Sequence, residues 1–429
     1  MSVNVLLGLQ WGDEGKGKIV DVLAPKYQVV ARFQGGPNAG HTLEFEGHKH
    51  VLHQIPSGIF RSDIQNIIGN GLVIDPAVFK KEVEAFRSIL PEADRNLYIS
   101  KKAHLILPTH KLLDAAYEIL KGDKKIGSTL RGIGPTYQSK TGRIGLRIGD
   151  ILQDNFAERY ENVKNQHLRL LKHLEYDLPE FSQAEQDFMT AIEFLKTLKL
   201  SDTEYLINEA IQNKQAILAE GAQGAMLDID FGSYPFVTSS NTIVAGALTG
   251  LGIAPQHIGE VFGIFKAYCT RVGSGPFPTE LQDEMGAKLA EQGREFGSTT
   301  GRPRRCGWLD LPALRYAVMI NGVSQLFMMK ADVLNNFEEI KVCTHYRLPS
   351  GEVVDNLPYC LNTTRVEPVY KTFRGWQQDL DACTEFEEFP AELKNYVAFI
   401  EEVLQVPIVL ISVGPDRQQT ITREKLIVH

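Results

Sequence analysis

The chain has 429 residues, of which 43% are hydrophobic and 23% are charged, a composition typical of a globular protein with a sizeable core. Its 45 Lys and Arg against 53 Asp and Glu give a formal net charge of −8, which argues against a nonspecific nucleic-acid-binding protein. No apolar run is long enough to span a bilayer and no signal-peptide pattern opens the chain, so we expect a cytoplasmic protein without membrane contact.

The first predicted element is a buried strand, Val3–Leu9, followed by a glycine-rich turn and a helix-like pattern from Ile19. Backbone N–H groups at the start of such a helix point at an anion, so this order predicts a phosphate-binding loop. Gly12–Lys18 has P-loop spacing, but Ile19 replaces the Ser or Thr that holds magnesium in that motif. Asp13 and Glu14 place two carboxylates in the loop. The prediction is a nucleotide site with a built-in acid; the alternative is an ordinary glycine-rich turn with solvated lysines.

Short β-rich runs recur along the chain, several followed by glycine-containing loops and helical patterns. They are Val29–Phe33, Asn66–Ile68, Ala216–Ala219, Val261–Phe265, Gln325–Met329 and Val406–Ser412. This alternation predicts an α/β fold with a mostly parallel central sheet flanked by helices. Amphipathic patterns such as Phe156–Leu174 and Gln183–Leu195 predict a largely helical insertion over about residues 100–212. We expect one domain, residues 1–429, that contains this insertion.

Two further loops carry polar groups suited to phosphate chemistry. Gln34–Thr42 follows a predicted strand and contains His41, which could donate a hydrogen bond to transferring phosphoryl oxygens. Gly127–Pro135 combines hydroxyl groups with Arg131 and is followed by Arg143, a combination suited to a monophosphate. Taken singly, each segment is also compatible with an ordinary loop and a structural histidine.

Gln223, in the segment Glu220–Gly224 that precedes Val237–Thr242, can donate and accept at once, as reading a purine edge requires. Ser298–Arg305 carries three arginines in four residues, which suits dicarboxylates or phosphates; a nucleic-acid patch is the alternative, disfavoured by the acidic net charge. These arginines could lower the pKa of the Cys306 thiol, whereas the alternative is a small buried hydrophobic residue.

The last predicted segments follow the strands near the C-terminus. Lys330–Asp332 comes after Gln325–Met329, and Ser412–Gly414 comes after Val406–Ile411. An Asp carboxylate accepts hydrogen bonds from both N1–H and the 2-amino group of guanine, a donor pair that adenine lacks. Asp332 is therefore a candidate guanine contact, although the tripeptide alone has little weight.

In chain order, these segments resemble the adenylosuccinate synthetase family, which joins IMP and aspartate using GTP. The matching segments are Gln10–Lys18, Gly35–Thr42, Gly127–Pro135, Glu220–Thr242, Lys266–Glu280, Thr299–Asp310, Lys330–Asp332 and Ser412–Arg417. The resemblance implies a P-loop-related fold, a homodimer and a magnesium ion in each subunit. Leu130 stands where the family usually has Gly, and a non-glycine residue resists positive φ.

The resemblance also implies roles for individual residues. Asp13 would be the general base and, with Gly40, a magnesium ligand; His41 would be the general acid. Implied GTP-binding residues are Gly12, Asp13, Glu14, Gly15, Lys16, Gly17, Lys18, Gly40, His41, Thr42, Arg304, Lys330, Ala331, Asp332, Ser412, Val413 and Gly414. Implied IMP-binding residues are Asp13, Glu14, Gly15, Lys16, Asn38, Ala39, Gly40, His41, Thr129, Arg143, Gln223, Thr238 and Arg302, with Arg143 reaching the IMP of the partner subunit. Aspartate would contact Ser298, Thr299, Thr300, Gly301, Arg302, Pro303 and Arg304.

The 6-oxo group of IMP is a poor leaving group, so the implied reaction activates it first. Asp13 could remove the N1 proton and make O6 a nucleophile toward the γ-phosphate of GTP, after which aspartate displaces phosphate from 6-phosphoryl-IMP. His41, the loop N–H groups, Lys16 and magnesium would stabilise the transferring phosphoryl group. Two alternatives of other classes are a regulatory GTPase, whose helical insertion binds a partner, and a catalytically inactive nucleotide-binding homologue.

Overall fold

The computed structural model describes residues 2–45, 48–122, 125–297 and 301–423. Its strands are β1 (Val3–Gly8), β2 (Val29–Arg32), β3 (His41–Phe45), β4 (His48–Leu52), β5 (Gln65–Ile68), β6 (Val73–Ile74), β7 (Leu97–Ser100), β8 (His104–Leu105), β9 (Lys199–Ser201), β10 (Ile217–Glu220), β11 (Ile258–Lys266), β12 (Cys269–Arg271), β13 (Arg305–Gly307), β14 (Leu309–Asp310), β15 (Gln325–Met329), β16 (Glu339–Arg347), β17 (Val353–Val354), β18 (Glu367–Arg374), β19 (Ile408–Ser412) and β20 (Thr420–Thr422). Its α-helices are α1 (Lys16–Leu23), α2 (Pro76–Ile89), α3 (Pro108–Leu120), α4 (Ile133–Thr141), α5 (Phe156–His173), α6 (Ser182–Lys196), α7 (Thr203–Gln212), α8 (Val244–Leu251), α9 (Glu284–Gln292), α10 (Leu311–Asn321) and α11 (Ala391–Leu404).

A ten-stranded sheet forms the centre of the fold, in the order β20-β19-β15-β11-β1-β10-β2-β5-β7-β9. Neighbouring strands are parallel from β19 through to β9, and β20 pairs antiparallel with β19 at one edge. The mostly parallel sheet predicted from the sequence is confirmed. Because parallel strands need crossover connections, usually helices, both faces of such a sheet become buried.

β1 shows directly that the sheet has a hydrophobic core on each face. Side chains alternate along a strand, and Val5 and Leu7 pack in one cluster with residues such as Trp308. Leu6 packs in another cluster, with Ile19 of α1. Every residue of β1 is therefore buried, which explains why its sequence is a continuous apolar run rather than an alternating one.

Between residues 100 and 212 the described chain contains α3, α4, α5, α6 and α7. The helices α5 and α6 lie within a residue or so of the predicted amphipathic segments. Their apolar faces meet in a separate core, where the rings of Tyr160 and Phe188 stack at 5.3 Å. The short strand Lys199–Ser201 joins the central sheet beside β7, so this segment is not helical throughout. Three residues of mixed polarity carry too little periodicity to predict such a strand.

The parallel arrangement brings the loops after β1, β2, β10, β11, β15 and β19 to one edge of the sheet. In open α/β sheets, ligands bind outside the carboxyl ends of the strands, where strand order changes direction. β1 lies at that position, since its two neighbours, β10 and β11, come much later in the chain. Among the described residues, no helix has the length and apolar character needed to cross a membrane.

Candidate functional site

The glycine-rich turn after β1 leads directly into α1, as predicted. Gly12 and Gly15 have φ of 88° and 96°, conformations that side chains of other residues disfavour. Gly15 is the residue before the first turn of α1, which contains no acidic residue and receives no side-chain cap from the described residues. The backbone N–H groups that open α1 are thus suited to an anionic ligand.

Glu14 organises the first half of this turn, a role the sequence did not indicate. Its buried Oε1 accepts hydrogen bonds from the amides of Gln10 at 3.1 Å and Gly12 at 2.9 Å. Lys16 Nζ lies 2.5 Å from Glu14 Oε2. Because two loop amides already donate to Glu14, the donors suited to phosphate are concentrated at the start of α1.

Lys18 connects the phosphate loop to the end of β19. Its ammonium group donates to Ser412 Oγ at 2.7 Å, to the Gly414 carbonyl at 2.7 Å and to the Gln419 carbonyl at 3.0 Å. The second lysine of the P-loop-like motif therefore holds the Ser412–Gly414 loop against α1. Lys16, rather than Lys18, is the lysine that stays with the carboxylates of the turn.

His41 is held against α1 by a close backbone approach. A Cβ at Gly17 would lie 3.0 Å from the carbonyl oxygen of Thr42, so only glycine allows α1 to pack this closely on β3. His41 Nδ1 lies 2.5 Å from Glu220 Oε1 at the end of β10. The Ser57 hydroxyl and amide also donate to Glu220, at 2.7 Å and 2.8 Å. A buried carboxylate thus fixes the imidazole ring, and Nε2 has no hydrogen-bond partner among the described residues.

The electrostatics of this pair favour a neutral imidazole beside an ionised carboxylate. Burial, followed by the positive charge of Arg32, lowers the pKa of His41 to about 4. Burial opposes ionisation of Glu220, but the hydrogen bond from His41 and the positive charge of Arg32 hold the pKa of Glu220 below its usual range. His41 Nδ1–H therefore donates to Glu220, which leaves Nε2 as the bare nitrogen that faces away from it.

Asp13 is paired with an arginine from the far end of the predicted aspartate loop. Arg304 Nε donates to Asp13 Oδ2 at 2.7 Å, and the carboxylate retains partial exposure. Arg304 Nη1 donates to buried Glu295 at 2.5 Å. Asp13 has a φ of 60°, so its backbone adopts the left-handed conformation within the turn. The structure brings Asp13 and Arg304 together although 291 residues separate them.

Lys330 and Asp332 lie at the end of β15, within the predicted guanine contact. Lys330 has a φ of 60° and donates to the Gly293 carbonyl at 2.6 Å and to Glu295 at 2.8 Å. Burial raises the pKa of Asp332. Its buried Oδ1 accepts no hydrogen bond from any described residue. A guanine would supply two donors to such a carboxylate.

Gln223 lies beside two of the predicted loops. A Cβ at Gly35 would lie 3.3 Å from the Gln223 side-chain amide, and a Cβ at Gly12 would lie 3.7 Å from Gln223 Cα. Both amide atoms of Gln223, and the side-chain oxygen of Asn38, are buried without a hydrogen-bond partner in the described part of the chain. These groups can donate and accept at a polar ligand placed between the loops.

The Thr129 loop is held by carboxylates of α3. Asp114 accepts from the Ser128 hydroxyl at 2.7 Å and from the Gly132 amide at 2.9 Å. Glu118 accepts from the amides of Gly127 and Ser128. Leu130 adopts a φ of 56°, so the backbone takes the left-handed conformation even without glycine. The chain therefore accepts local strain here rather than a different loop path.

Two arginines connect the Thr129 loop to the other predicted loops. Arg131 Nη1 donates to the Pro37 carbonyl at 2.9 Å, and Arg302 Nη1 donates to the Gly127 carbonyl at 3.1 Å. The loops predicted to contact IMP and aspartate are therefore linked to each other.

Some predicted residues lie elsewhere. Arg143 is exposed beyond the end of α4, and its guanidinium makes no ion pair within the described ranges. Ser298, Thr299 and Thr300 lie outside the described residues. Cys306 is buried, and burial raises the pKa of its thiol to about 12, so the hypothesis of an activated thiol is wrong.

Sequence reasoning assigned no role to Glu220, Ser57 and Glu295, which contact predicted site residues, or to Lys266, which contacts Glu295. A carboxylate directly after the predicted strand Ala216–Ala219 was the available signal for Glu220. A lysine at the end of β11 was the signal for Lys266. Ser57 and Glu295 carry no local pattern, because tertiary packing alone brings them to the site.

Comparison with known proteins gives a consistent result. A sequence model of the adenylosuccinate synthetase family matches residues 5–421. The adenylosuccinate synthetase of Cytophaga hutchinsonii is 64% identical over 99% of this chain and 99% of its own length. That of Flavobacterium johnsoniae is 60% identical over 99% of this chain and 100% of its own length. The structure of fully ligated adenylosuccinate synthetase from Plasmodium falciparum matches with a TM-score of 0.93 and 40% identity, over 99% of this chain and 100% of that one. The chain belongs to the adenylosuccinate synthetase family.

Proposed function

We propose that this chain catalyses the GTP-dependent joining of IMP and L-aspartate, with release of GDP and phosphate, to form adenylosuccinate for AMP synthesis. One observation carries the residue assignments. Buried polar atoms of Asn38, His41, Gln223 and Asp332 accept or donate no hydrogen bond within the described residues. Buried polar groups are nearly always hydrogen-bonded, so unpaired atoms at four predicted ligand positions support ligands that complete them.

The first step needs a base at N1 of the purine and an electrophile at the neighbouring O6. Asp13 takes the N1 proton of IMP, and the electron pair moves to O6. O6 then forms a bond to the γ-phosphorus of GTP while the bond to the bridging oxygen breaks, which gives GDP and 6-phosphoryl-IMP. Partial exposure leaves the Asp13 carboxylate accessible to a ligand, and its Arg304 partner belongs to the same proposed site.

His41 stabilises the phosphoryl transfer once it is protonated. Nδ1–H donates to Glu220, so a proton taken up at Nε2 creates a second donor aimed at the phosphate oxygens. The triphosphate supplies the negative charge that raises the pKa of His41 from its low ligand-free value. Lys16 and the first amides of α1 add positive potential at the same oxygens.

The residues present fit a magnesium site in which the protein and the phosphate groups of the substrate both supply ligands. Mg²⁺ is usually held by one or two protein oxygens together with substrate phosphates and water. No group of three or more His, Cys, Asp or Glu side chains forms a metal cage among the described residues, and Asp13 offers a partly exposed carboxylate. Asp13 and the carbonyl of Gly40 would hold the ion. When bound, it would neutralise charge on the phosphate oxygens.

In the second step the neutral amine of L-aspartate attacks C6, phosphate leaves with the electrons of the C6–O bond, and the amine nitrogen gives up one proton to the departing phosphate. The loop of residues 298–304 would hold the carboxylates of aspartate, with Arg302 and Arg304 as forked donors. Arg143 would act on the IMP of a partner subunit, which its exposure beyond α4 and its lack of an ion-pair partner within the described ranges support. A homodimer in the cytoplasm is the corresponding expectation for the assembly.

GDP release measured with IMP and aspartate together, with each alone, and with neither tests this proposal. Full rate with both substrates and little otherwise supports the synthetase. GDP release that needs neither substrate would favour a regulatory GTPase instead, and nucleotide binding without turnover would favour an inactive homologue.

Asp13→Asn tests the assignment of the base. The variant keeps the size of the side chain but removes its basicity, so kcat should fall at least about 100-fold, as for loss of a general base. Because kcat reports the bound complex, the Kd for GTP should change far less. Near-normal turnover in this variant would show that another group takes the N1 proton.

A further inference from the structure

A buried carboxylate outside the predicted site holds three positive side chains together. Glu295 follows α9, and its side chain is 0% exposed. Its oxygens accept hydrogen bonds from Lys266 Nζ at 3.0 Å, from Lys330 Nζ at 2.8 Å and from Arg304 Nη1 at 2.5 Å. Two of these donors, Arg304 and Lys330, come from segments proposed to contact aspartate and GTP.

The backbone around Glu295 contacts the same two side chains. The amide of Arg304 donates to the Glu295 carbonyl at 2.9 Å. Lys330 Nζ donates to the Gly293 carbonyl at 2.6 Å. Arg304 is therefore held at two points, and its Nε donates onward to Asp13 at 2.7 Å. A continuous series of contacts runs from the proposed base to the proposed guanine contact.

We propose that Glu295 is a positioning residue that fixes Arg304 and Lys330 relative to each other and, through Arg304, sets the place of the Asp13 carboxylate. The inference rests on the proposed function, because Arg304 and Lys330 are assigned there to the aspartate and GTP sites. Glu295 itself touches no substrate in this proposal, since its oxygens are committed to protein donors.

The charge balance explains why a carboxylate is needed here. Burial opposes ionisation of Glu295, but the charges of Lys266, Lys330 and Arg304 outweigh it and hold the pKa of Glu295 well below its usual range. Burial lowers the pKa of Lys266 to about 8, even with Glu295 beside it. Without the Glu295 charge, Lys266 would lose its proton near neutral pH, and Arg304 and Lys330 would lose their common anchor.

Glu295→Gln tests the proposal, since it keeps the shape and removes the charge. Loss of charge-assisted hydrogen bonds predicts a rise of about tenfold or more in the KM for GTP and for aspartate. The KM for IMP should change about threefold or less, because Gln223, Thr129 and Asn38 do not contact Glu295. The value of kcat should fall, because Arg304 would no longer be fixed where it contacts the Asp13 base. Unchanged KM values for GTP and aspartate would overturn the proposal.

Glu280→Gln is the matched control. Glu280 makes a two-point pair with Arg305, the neighbour of Arg304, through distances of 2.7 Å and 2.5 Å. The same substitution therefore removes a carboxylate from an adjacent arginine that has no proposed ligand role. We expect KM values close to those of the unsubstituted protein. Equal losses in both variants would show a general disturbance and overturn the proposal.

The double variant Lys266→Met/Glu295→Gln separates positioning from stability. Lys266 is the fully buried cation of the three, whereas Arg304 keeps its pair with Asp13 and Lys330 is partly exposed. Removing Lys266 together with Glu295 should therefore restore most of the thermal stability lost in the single variant. The raised KM values for GTP and aspartate should remain. If they return to normal together with stability, Glu295 has only a structural role.

Direct calorimetric measurement of GTP binding keeps the two proposals separate. An unsubstituted protein that binds GTP but makes no adenylosuccinate would contradict the proposed function. In that case a Kd for GTP that is about tenfold weaker in Glu295→Gln would still support the positioning role at Lys330, and an equal Kd would refute it.

Discussion

Glu220→Gln should lower kcat because Glu220 holds His41 in the orientation and tautomer that phosphoryl transfer needs. Three donors converge on this fully buried carboxylate: His41 Nδ1 at 2.5 Å, the Ser57 hydroxyl at 2.7 Å and the Ser57 amide at 2.8 Å. Glutamine has the same shape but only one side-chain acceptor. The substituted amide would therefore turn an N–H toward one of these donors.

The size of the effect follows from the hydrogen bond that stabilises the protonated ring. A hydrogen bond to a charged group is worth about 1.5–3 kcal/mol and a neutral one about 0.5–1.5 kcal/mol, a difference of about 1–2 kcal/mol. Since each 1.4 kcal/mol is tenfold, the protonated form of His41 in the nucleotide complex becomes about 5- to 30-fold less favoured. We expect kcat at pH 7 to fall by that factor, with a smaller change in the KM for GTP.

The assay is the initial rate of GDP release with IMP and aspartate present, between pH 6 and pH 8.5. The loss in Glu220→Gln should grow as pH rises, because the variant loses its protonated His41 at lower pH. Ser57→Ala is the control, since it removes one donor and leaves the Glu220 charge in place; kcat should fall no more than about threefold. A loss that is the same at every pH and equal in both variants would refute the positioning of His41 by Glu220.

Three further predictions concern protonation and backbone strain. GTP should bind with uptake of a proton by His41, whose pKa is about 4 without ligand, so the affinity for GTP should fall as pH rises. Calorimetry in buffers of different ionisation enthalpy measures the number of protons taken up, and equal uptake in His41→Asn would contradict the prediction. Burial raises the pKa of Asp310 to about 6, so its contribution to stability is lost as pH rises from about 4 through 6. In denaturant unfolding, Asp310→Asn should gain about 2 kcal/mol relative to the unsubstituted protein between pH 4 and pH 7, and a constant difference would argue against this. Leu130→Gly should raise the free energy of unfolding by about 0.5–1 kcal/mol, because Leu130 has a φ of 56°, which glycine adopts without strain, and its half-exposed side chain loses little burial. An unchanged unfolding midpoint would mean that the backbone of this loop is not strained.

The fold class could be predicted from the sequence because most central strands are short apolar runs followed by glycine-containing loops. Gln325–Met329 was predicted with the bounds that the structure has, since four consecutive apolar residues follow Gln325. The strand Lys199–Ser201 was not predicted, because it gains its place only by pairing with β7 at the sheet edge. Local pattern therefore identified the seven strands from β19 to β5 in the middle of the sheet, and it missed β7 and β9 at one end and β20 at the other.

The candidate site divides in the same way. Asp13 and His41 could be singled out because each follows a predicted strand in a glycine-rich loop, and parallel strands end at one edge. Lys18 shows the limit of motif reasoning: its spacing fits a P-loop lysine, yet its ammonium group contacts oxygens of Ser412, Gly414 and Gln419. No local feature predicts contacts across 394 residues.

By itself, the sequence determined the α/β class, the phosphate loop and the family resemblance, because these depend on hydrophobic periodicity and on glycine and polar residues at fixed spacing. The tertiary structure alone decided which charged side chains contact each other. Glu220 beside His41, and Glu295 among Lys266, Lys330 and Arg304, arise from elements far apart in the chain. Burial at those meeting points sets the protonation of each group, and burial is a property of the packed chain rather than of any segment.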